Sequence, residues 1–465
     1  LSGFIVERYH NILDDVPSFL RAVEEPLCGV AWIHPLRARE GVVRDWFQFR
    51  GVQVQSVPWY PGAFRVPPDV SLGHSVPYVA GWFCVQEEVA LTAVKALAPE
   101  AGEAILDLCA SPGGKTAQIS FAVGARGLVV ANEKSWQRLT PLASRVDSLA
   151  LNNVVVTHSD GMATTLAPAG FDRVLADVPC SGEGTLRKHV HGVQPVGDRL
   201  QRILPVMQKC LLRRALRLTK PGGVLVYSTC TFNPEENEAV LDEALGDLGD
   251  VEPFEISGFH SRPGLSHWKG KHFRRDVSFA KRFYPQHNNT GGFFVARIRR
   301  SYVPFWREKE PKIAEPHGFV ELLGDDRERL CCWLEKRYGV APAVWSDVRF
   351  VQKAQIIRMI SQGVAFPNER VSLAGVSAFE KTTKGFLPTA HGAQIIGVHA
   401  NRAIISLQEG VELESYLSGK NVRLSQCPEV VGIVLVKYGD FVLGKGVVVD
   451  GVLESHLPKA IRFTL

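Results

Sequence analysis

From Ala104 onward the chain alternates short apolar runs with longer amphipathic ones, and that rhythm is its strongest structural signal. The runs Ala104–Leu108, Leu128–Ala131, Val154–Thr157, Val174–Ala176, Val224–Tyr227 and Phe293–Ile298 are short and rich in Val, Ile and Leu, which predicts strands. Helical patterns fill the gaps, notably Trp136–Leu151 and Arg199–Leu218. Strands alternating with helices in this way predict an α/β domain built on a doubly wound, Rossmann-like parallel sheet over residues 101–310. Residues 1–100 read as a mixed α/β extension, with helical patterns at Asn11–Glu25 and Glu87–Leu97 around the Pro-rich Val57-Pro58-Trp59-Tyr60-Pro61-Gly62. Pro311 opens another region, where Phe319–Leu323, Asp326–Tyr338 and Asp347–Met359 predict a helical connector over 311–370. The runs Ala393–Val398, Ala403–Leu407, Val431–Tyr438 and Phe441–Val449, separated by Gly and Asp, predict a small β-barrel over 371–465.

Composition narrows the classes. A length of 465 residues predicts roughly two to three domains, and 45% hydrophobic with 22% charged residues describes a globular chain rather than a disordered one. The apolar run Val430–Val436 is far shorter than the roughly 18–20 residues of a membrane helix, so no membrane partner is expected. None of the nine cysteines forms a CxxC pair, which argues against a zinc ribbon or a thioredoxin-like centre and for free thiols with no metal. Cys28, Cys84, Cys210, Cys427 and the Cys331-Cys332 pair read as small core hydrophobes. The start, Leu1-Ser2-Gly3-Phe4, has neither an initiator Met nor a signal-peptide layout and reads as trimmed.

A net charge of +5 is mild, but its distribution is uneven. Arg213, Arg214 and Arg217, then Lys269 to Arg275, Lys281-Arg282 and Arg297 to Arg300, form basic groups interleaved with Trp268 and Phe273. That pattern suits a phosphate backbone with bases stacked nearby, and a solvated basic rim is the competing reading.

Two motifs carry chemistry. The turn Cys109-Ala110-Ser111-Pro112-Gly113-Gly114-Lys115-Thr116 joins the first strand to a helix, and its Gly-Lys-Thr ending suggests a P-loop. A P-loop requires Gly where Cys109 stands, so a nucleoside-binding crevice is the better reading, with Gly113 and Gly114 letting backbone approach the ligand. Glu133, Asp160 and Asp177 end successive strands beside this turn, with Glu133 placed for ribose hydroxyls and Asp160 for an adenine amine. Without a pyrophosphate cradle, S-adenosylmethionine fits this crevice better than a dinucleotide. The second motif is a pair of strand-end elbows ending in Cys180 and Cys230. Carbon 5 of cytosine is a poor nucleophile until a thiolate adds to carbon 6 and breaks the ring's aromaticity, with an acid near ring nitrogen 3. Such a scheme needs a low-pKa Cys, a neighbouring acid such as Asp177 and a methyl donor.

Three segments together carry a specific resemblance: Cys109 to Thr116, Asp177-Val178-Pro179-Cys180-Ser181-Gly182-Glu183-Gly184-Thr185-Leu186-Arg187-Lys188, and Tyr227-Ser228-Thr229-Cys230-Thr231-Phe232-Asn233-Pro234-Glu235-Glu236-Asn237-Glu238. They resemble the signature motifs of the class I, S-adenosylmethionine-dependent RNA cytosine-5 methyltransferases of the nucleolar-protein/Sun type. The resemblance covers about residues 55–300. It implies that Cys230 is the nucleophile, that Cys180 aids product release, and that Asp177 and Lys115 act beside the base. Cofactor binding falls to Cys109, Ala110, Ser111, Pro112, Gly113, Gly114, Lys115, Glu133, Arg138, Asp160 and Asp177. The barrel resembles a PUA domain and, with the N-terminal extension and its Trp59-Tyr60 segment, is expected to hold RNA.

Tyr284-Pro285-Gln286-His287-Asn288-Asn289-Thr290-Gly291-Gly292-Phe293-Phe294-Val295-Ala296 and Pro58-Trp59-Tyr60-Pro61 resemble the eukaryotic tRNA enzymes of this family more than the bacterial ribosomal ones. The expected substrate is therefore tRNA, with ribosomal RNA and a catalytically silent RNA-binding scaffold as alternatives. One departure is the loop Arg187-Lys188-His189-Val190-His191-Gly192-Val193, where some relatives carry Trp after Arg-Lys. A monomer is expected, in the nucleus, nucleolus or cytoplasm, with mitochondrial targeting left open.

Overall fold

The parallel strands of the catalytic domain are unbroken apolar runs because helices cover both faces of their sheet. The computed structural model describes residues 2–188, 196–303, 317–425 and 430–464. Its largest sheet sets Val154–Thr157, Leu128–Asn132, Ala104–Asp107, Phe171–Asp177 and Thr219–Thr229 side by side in that order, all parallel. Phe293–Arg300 follows antiparallel, and Lys281–Phe283 pairs with it. On one face, the helices Gly114–Val123 and Trp136–Ser148 bury Ile119, Leu139, Leu142 and Val146 against Val129 and Val154. On the other, Asp198–Leu218 and Glu238–Leu245 bury Leu211, Leu212, Leu216 and Leu241 against Val130, Val174 and Leu225. Every strand and helix expected between Ala104 and Ile298 is present.

From Ala104–Asp107 the chain first steps to one side, to Leu128–Asn132, and later crosses to the other, to Phe171–Asp177. The crevice beyond the carboxyl ends of strands at such a switch point is where sheets of this kind take ligands. Asp107 and Asp177 close the two strands that flank it.

The C-terminal half departs from expectation. Asp347–Met359 is not helical but forms the hairpin Val348–Lys353 and Ile356–Ser361, with Ala354 at φ 53° in its turn. The apolar residues Val348, Phe350, Val351, Ile357, Met359 and Ile360 suit a strand pair as well as a helix face, and packing on both sides of the sheet decides for strands. Phe319–Leu323 likewise contributes the short strand Val320–Glu321, so among the described residues of the expected helical connector the one long helix is Gly324–Tyr338. Conversely, Ala393–Val398 lies within a helix, Ala390–His399, started by Thr389, whose hydroxyl accepts from the Gly392 N–H at 2.9 Å. A Cβ on Gly392 would lie 1.9 Å from the Ala378 carbonyl, so glycine is required for this helix to sit on its sheet.

The boundary at residue 371 also shifts. Val371–Ala374 pairs antiparallel with Val154–Thr157 and extends the catalytic sheet, so the two halves share backbone hydrogen bonds. The barrel strands proper are Ile404–Ser406, Gly432–Tyr438, Phe441–Val449, Val452–Ser455 and Val422–Arg423. They share one apolar core with the N-terminal sheet, made of Gln55–Ser56, Ala63–Val66, Gly29–Ile33 and Phe83–Val85, where Trp82 meets Phe441 with ring centroids 4.5 Å apart. The N-terminal region therefore packs both ways, on the barrel and, through Val30, Trp32 and Trp59, on the catalytic core.

Much of the basic patch read from the sequence is structural. Arg282 is buried and grips Glu238 at 2.5 and 2.6 Å. Arg297 and Arg299 pair with Glu252, Arg274 with Asp250 and Asp276, Lys271 with Asp242 and Glu243, and Lys281 with Glu255. Arg282→Met should therefore act on stability rather than on RNA affinity, because it strands the Glu238 carboxylate in the core. The expected loss is about 3–5 kcal/mol, read as a lowered melting temperature, and the double change with Glu238→Leu should recover part of it.

Candidate active site

Asp177 lies opposite Ser228 in the parallel pair Phe171–Asp177 and Thr219–Thr229, and this register brings the two cysteine elbows together. The Cys180 and Cys230 sulfurs are 3.2 Å apart, and the Cys230 N–H donates to Cys180 Sγ at 3.3 Å. Both are free, half-buried thiols. Two thiols this close share a proton unequally. The hydrogen bond from Cys180 holds Cys230 below the ordinary thiol range, helped by the charges of Lys115 and Lys188, while burial and Asp177 oppose it. The same bond raises Cys180 well above that range, and burial adds to the effect. The contact thus makes Cys230 the more readily ionised thiol of the two.

Lys115, in the first turn of the Gly114–Val123 helix, reaches across to Asp177, with Nζ 2.7 Å from Oδ2. Ser228 Oγ donates to Asp177 Oδ1 at 2.7 Å, so both carboxylate oxygens are held. Burial pulls the Lys115 ammonium down, but the adjacent Asp177 charge more than offsets it and the net shift is upward. Lys115 therefore stays a cation beside the thiols.

The glycine turn opens onto two cavities that share Cys109. One is lined by Asp107, Cys109–Pro112, Gly114, Lys115, Asp177 and Lys188, and the other by Cys109, Glu133, Arg138 and Asp160. In the first, Asp107 Oδ1 is buried without a hydrogen-bond partner, and burial pushes this carboxyl up to about 7. Thr116 Oγ1 satisfies the other oxygen at 2.7 Å. In the second, buried Glu133 has Arg138 3.8 Å away, and Arg138 donates to the Ser111 carbonyl at 2.7 Å. Asp160 is held by Lys134 at 2.6 Å. Burial pushes the Cys109 thiol up, so it is a neutral wall rather than a nucleophile. A partnerless buried carboxylate oxygen in one cavity and a buried acid in the next fit the ammonium and ribose of S-adenosylmethionine.

The structure gathers this set around the glycine turn. Gly114 lines the first cavity, but both glycines are also needed for protein packing, which the sequence reading did not expect. A Cβ on Gly113 would press on Leu142 and Arg145, and one on Gly114 on Gln86, so both make room for protein. Three other expectations also change. Trp59 is buried, donating from Nε1 to Glu88 at 2.8 Å, and belongs to the core. Cys84 and Cys331 are buried as expected and Cys28 is half-buried, but Cys210 and Cys332 are exposed, and Cys427 lies outside the described residues. Of the loop after Arg187-Lys188, residues 189–195 also lie outside them. Lys188 itself pairs with Glu87, whose other oxygen accepts from the Gly291 N–H at 2.7 Å. The sequence reading missed Lys188, Glu87, Gln208, Glu236 and Asn237. Glu236 and Asn237 had a signal in the polar run Asn233 to Asn237 just after an apolar strand, whereas Lys188, Glu87 and Gln208 had none. Among the described residues no cluster of His, Cys, Asp or Glu could hold a metal ion, and no helix is long and apolar enough to cross a membrane.

Two family models match the chain: one described as 16S rRNA methyltransferase RsmB/F over residues 94–299, and one as the methyltransferase RsmF PUA domain over residues 409–463. A protein of Vibrio atlanticus named ribosomal RNA small subunit methyltransferase F is 30% identical over 477 residues, covering 96% of this chain and 94% of its own length. One of the same name from Shewanella loihica is 29% identical, covering 97% and 93%. A methyltransferase homolog from Pyrococcus horikoshii superposes with a TM-score of 0.55 at 28% identity, over 64% of this chain and 94% of its own. The NSun6 structure from the same organism, solved with SFG, gives a TM-score of 0.54 at 19% identity over 64% of this chain and 97% of its own, a likeness of fold. The named sequence relatives are bacterial proteins called ribosomal RNA methyltransferases, whereas kinship with eukaryotic tRNA enzymes was expected.

Proposed function

Because the chain belongs to the RsmB/F family of S-adenosylmethionine-dependent RNA methyltransferases, we propose that it methylates carbon 5 of a cytidine in small-subunit ribosomal RNA, with Cys230 as the nucleophile. The observation that carries the chemistry is the unequal thiol pair, 3.2 Å apart, beside the Lys115–Asp177 ion pair. The choice of ribosomal RNA over tRNA is supported by relatives of that name aligned along nearly the whole chain, barrel included.

Cys230 Sγ adds to carbon 6 of the flipped cytosine, and the pair of electrons of the 5,6 double bond shifts toward carbon 5. The Lys115 ammonium, fixed by Asp177, is the positive group that steadies the ring as it takes up charge. S-adenosylmethionine, when bound, supplies an electrophilic methyl group to carbon 5. Cys230 is then a neutral thioether, so Cys180 no longer faces a thiolate; once its own proton has passed to solvent, the Cys180 thiolate takes the carbon 5 proton. Loss of that proton re-forms the double bond, the bond from carbon 6 to sulfur breaks, and its electron pair returns to Cys230.

The test is to offer the protein labelled methyl donor with naked small-subunit ribosomal RNA, assembled small subunits and bulk tRNA in parallel, and to map incorporation by bisulfite sequencing. Label at one ribosomal cytidine is expected. Label in tRNA alone would overturn the substrate reading, and no label despite donor binding would overturn the activity.

A further inference from the structure

Two adjacent residues hold the two cysteine elbows, one each. Glu236 Oε2 accepts from the Ser181 N–H and from Gln208 Nε2, both at 2.9 Å, and Gln208 Nε2 also donates to the Pro179 carbonyl at 2.9 Å. The residues on either side of Cys180 are thereby tied to one carboxylate–amide pair. Asn237 does the same for the other elbow: its Oδ1 accepts from Thr229 Oγ1 at 2.6 Å, and its Nδ2 donates to the Thr231 carbonyl at 3.0 Å. Both side chains are fully buried, and Asn233 Nδ2 holds the second Glu236 oxygen at 3.0 Å.

Donor satisfaction explains Asn237, and at 236 it calls for a carboxylate, because Ser181, Gln208 and Asn233 all donate to its two oxygens and an amide would turn a donor toward one of them. The same carboxylate sets a buried negative charge beside the Cys180 elbow, at a desolvation cost. A negative charge has a use here if the neighbouring thiol is meant to keep its proton. In keeping with this, the Glu236 charge adds to the upward shift of Cys180 that the Cys230 contact and burial produce.

We propose that Glu236 and Asn237 are positioning residues that assign the unequal roles of the thiols: Glu236 keeps the shared proton on Cys180, and Asn237 aims the Cys230 sulfur at it. Neither touches the base. The inference rests on the cysteine chemistry proposed above, but not on which RNA is the substrate.

Competitive alkylation of the RNA-free protein tests it. Iodoacetamide labelling, resolved residue by residue by mass spectrometry across a pH series, should favour Cys230 over Cys180 in the wild type. Glu236→Gln removes the charge, with its amide facing the Asn233 Nδ2 donor, and should lower that preference by about tenfold, the effect of one pKa unit. Gln208→Met is the second variant. It removes the donor to Pro179 and Glu236, takes away a Gln208 Oε1 that has no partner, and should shift the ratio the same way by a smaller factor. Asn237→Ala should move the Cys230 profile toward higher pH. S-adenosylmethionine affinity should stay within about twofold in Glu236→Gln and Asn237→Ala, since neither residue lines a cofactor cavity. An unchanged labelling ratio in folded Glu236→Gln, or in Gln208→Met if that variant does not fold, overturns the proposal. Because labelling uses no RNA, a wrong substrate reading leaves this result standing. Unchanged labelling with normal ribosomal methylation would sink the positioning role alone.

Discussion

Cys230→Ala is expected to lower methyl transfer by roughly 10⁴-fold or more, the scale seen when a covalent nucleophile is removed, while S-adenosylmethionine still binds. The two effects separate because the cofactor cavities are lined by the glycine turn, Glu133 and Asp160, and not by this sulfur. The pH dependence follows from the same geometry. The reactive form is the thiolate, so the single-turnover rate rises with pH until Cys230 has lost its proton. That rise should lie below the range of an ordinary thiol, because the Cys180 hydrogen bond and the Lys115 and Lys188 charges favour the thiolate. Lys115→Met removes one favourable charge and leaves Asp177 without its cation, and both changes disfavour the thiolate. Its profile should therefore shift to higher pH, with the part of the lost rate that reflects the thiolate recovered in alkaline buffer and the part that reflects steadying of the ring not recovered. Retained turnover in Cys230→Ala would sink the assignment, and an unmoved profile in Lys115→Met would remove Lys115 from the account of the thiolate.

How much of this was legible beforehand depends on how far apart the partners lie in sequence. Asp177, Cys180 and Cys230 could be placed because a parallel strand puts its last residues at the sheet's functional edge, and the apolar runs mark where each strand ends. Their closeness followed once the two strands were neighbours. The pairing within the basic patch was not legible because counting charges along the chain does not find their partners: Glu238 lies 44 residues before Arg282, and Glu252 lies 45 before Arg297. The hairpin Val348–Ser361 was taken for helix because apolar residues at those spacings satisfy either period, and tertiary packing decides. The shared core of the N-terminal sheet and the barrel had no local signal at all. His74 stacks on Phe463, and each residue alone reads as an unremarkable loop aromatic. Glu236 and Asn237 stood in plain view within a motif, but their use depends on contacts made to Ser181 and Thr229.

Substitution at Cys180 should separate attack from release. Cys180→Ala removes the group expected to take the carbon 5 proton, so the enzyme should add to cytosine, transfer the methyl group and then stall. A covalent enzyme–RNA complex would appear as a slow band on a denaturing gel, dependent on the methyl donor for its full yield. The same change deletes the hydrogen bond that most favours the Cys230 thiolate, so the complex should form slowly at neutral pH. Cys180→Ser distinguishes the two roles. Its hydroxyl can still donate to the Cys230 sulfur, but it is too weak an acid to serve as the base. The serine variant should therefore trap the complex faster than the alanine variant, by about tenfold near neutral pH if the bond is worth one pKa unit. The gap should close as pH rises and Cys230 ionises unaided. A trapped complex in Cys230→Ala instead would reverse the two assignments. If neither Cys180 variant traps RNA, release does not run through this thiol, and the 3.2 Å contact serves only to hold the Cys230 thiolate ready for attack.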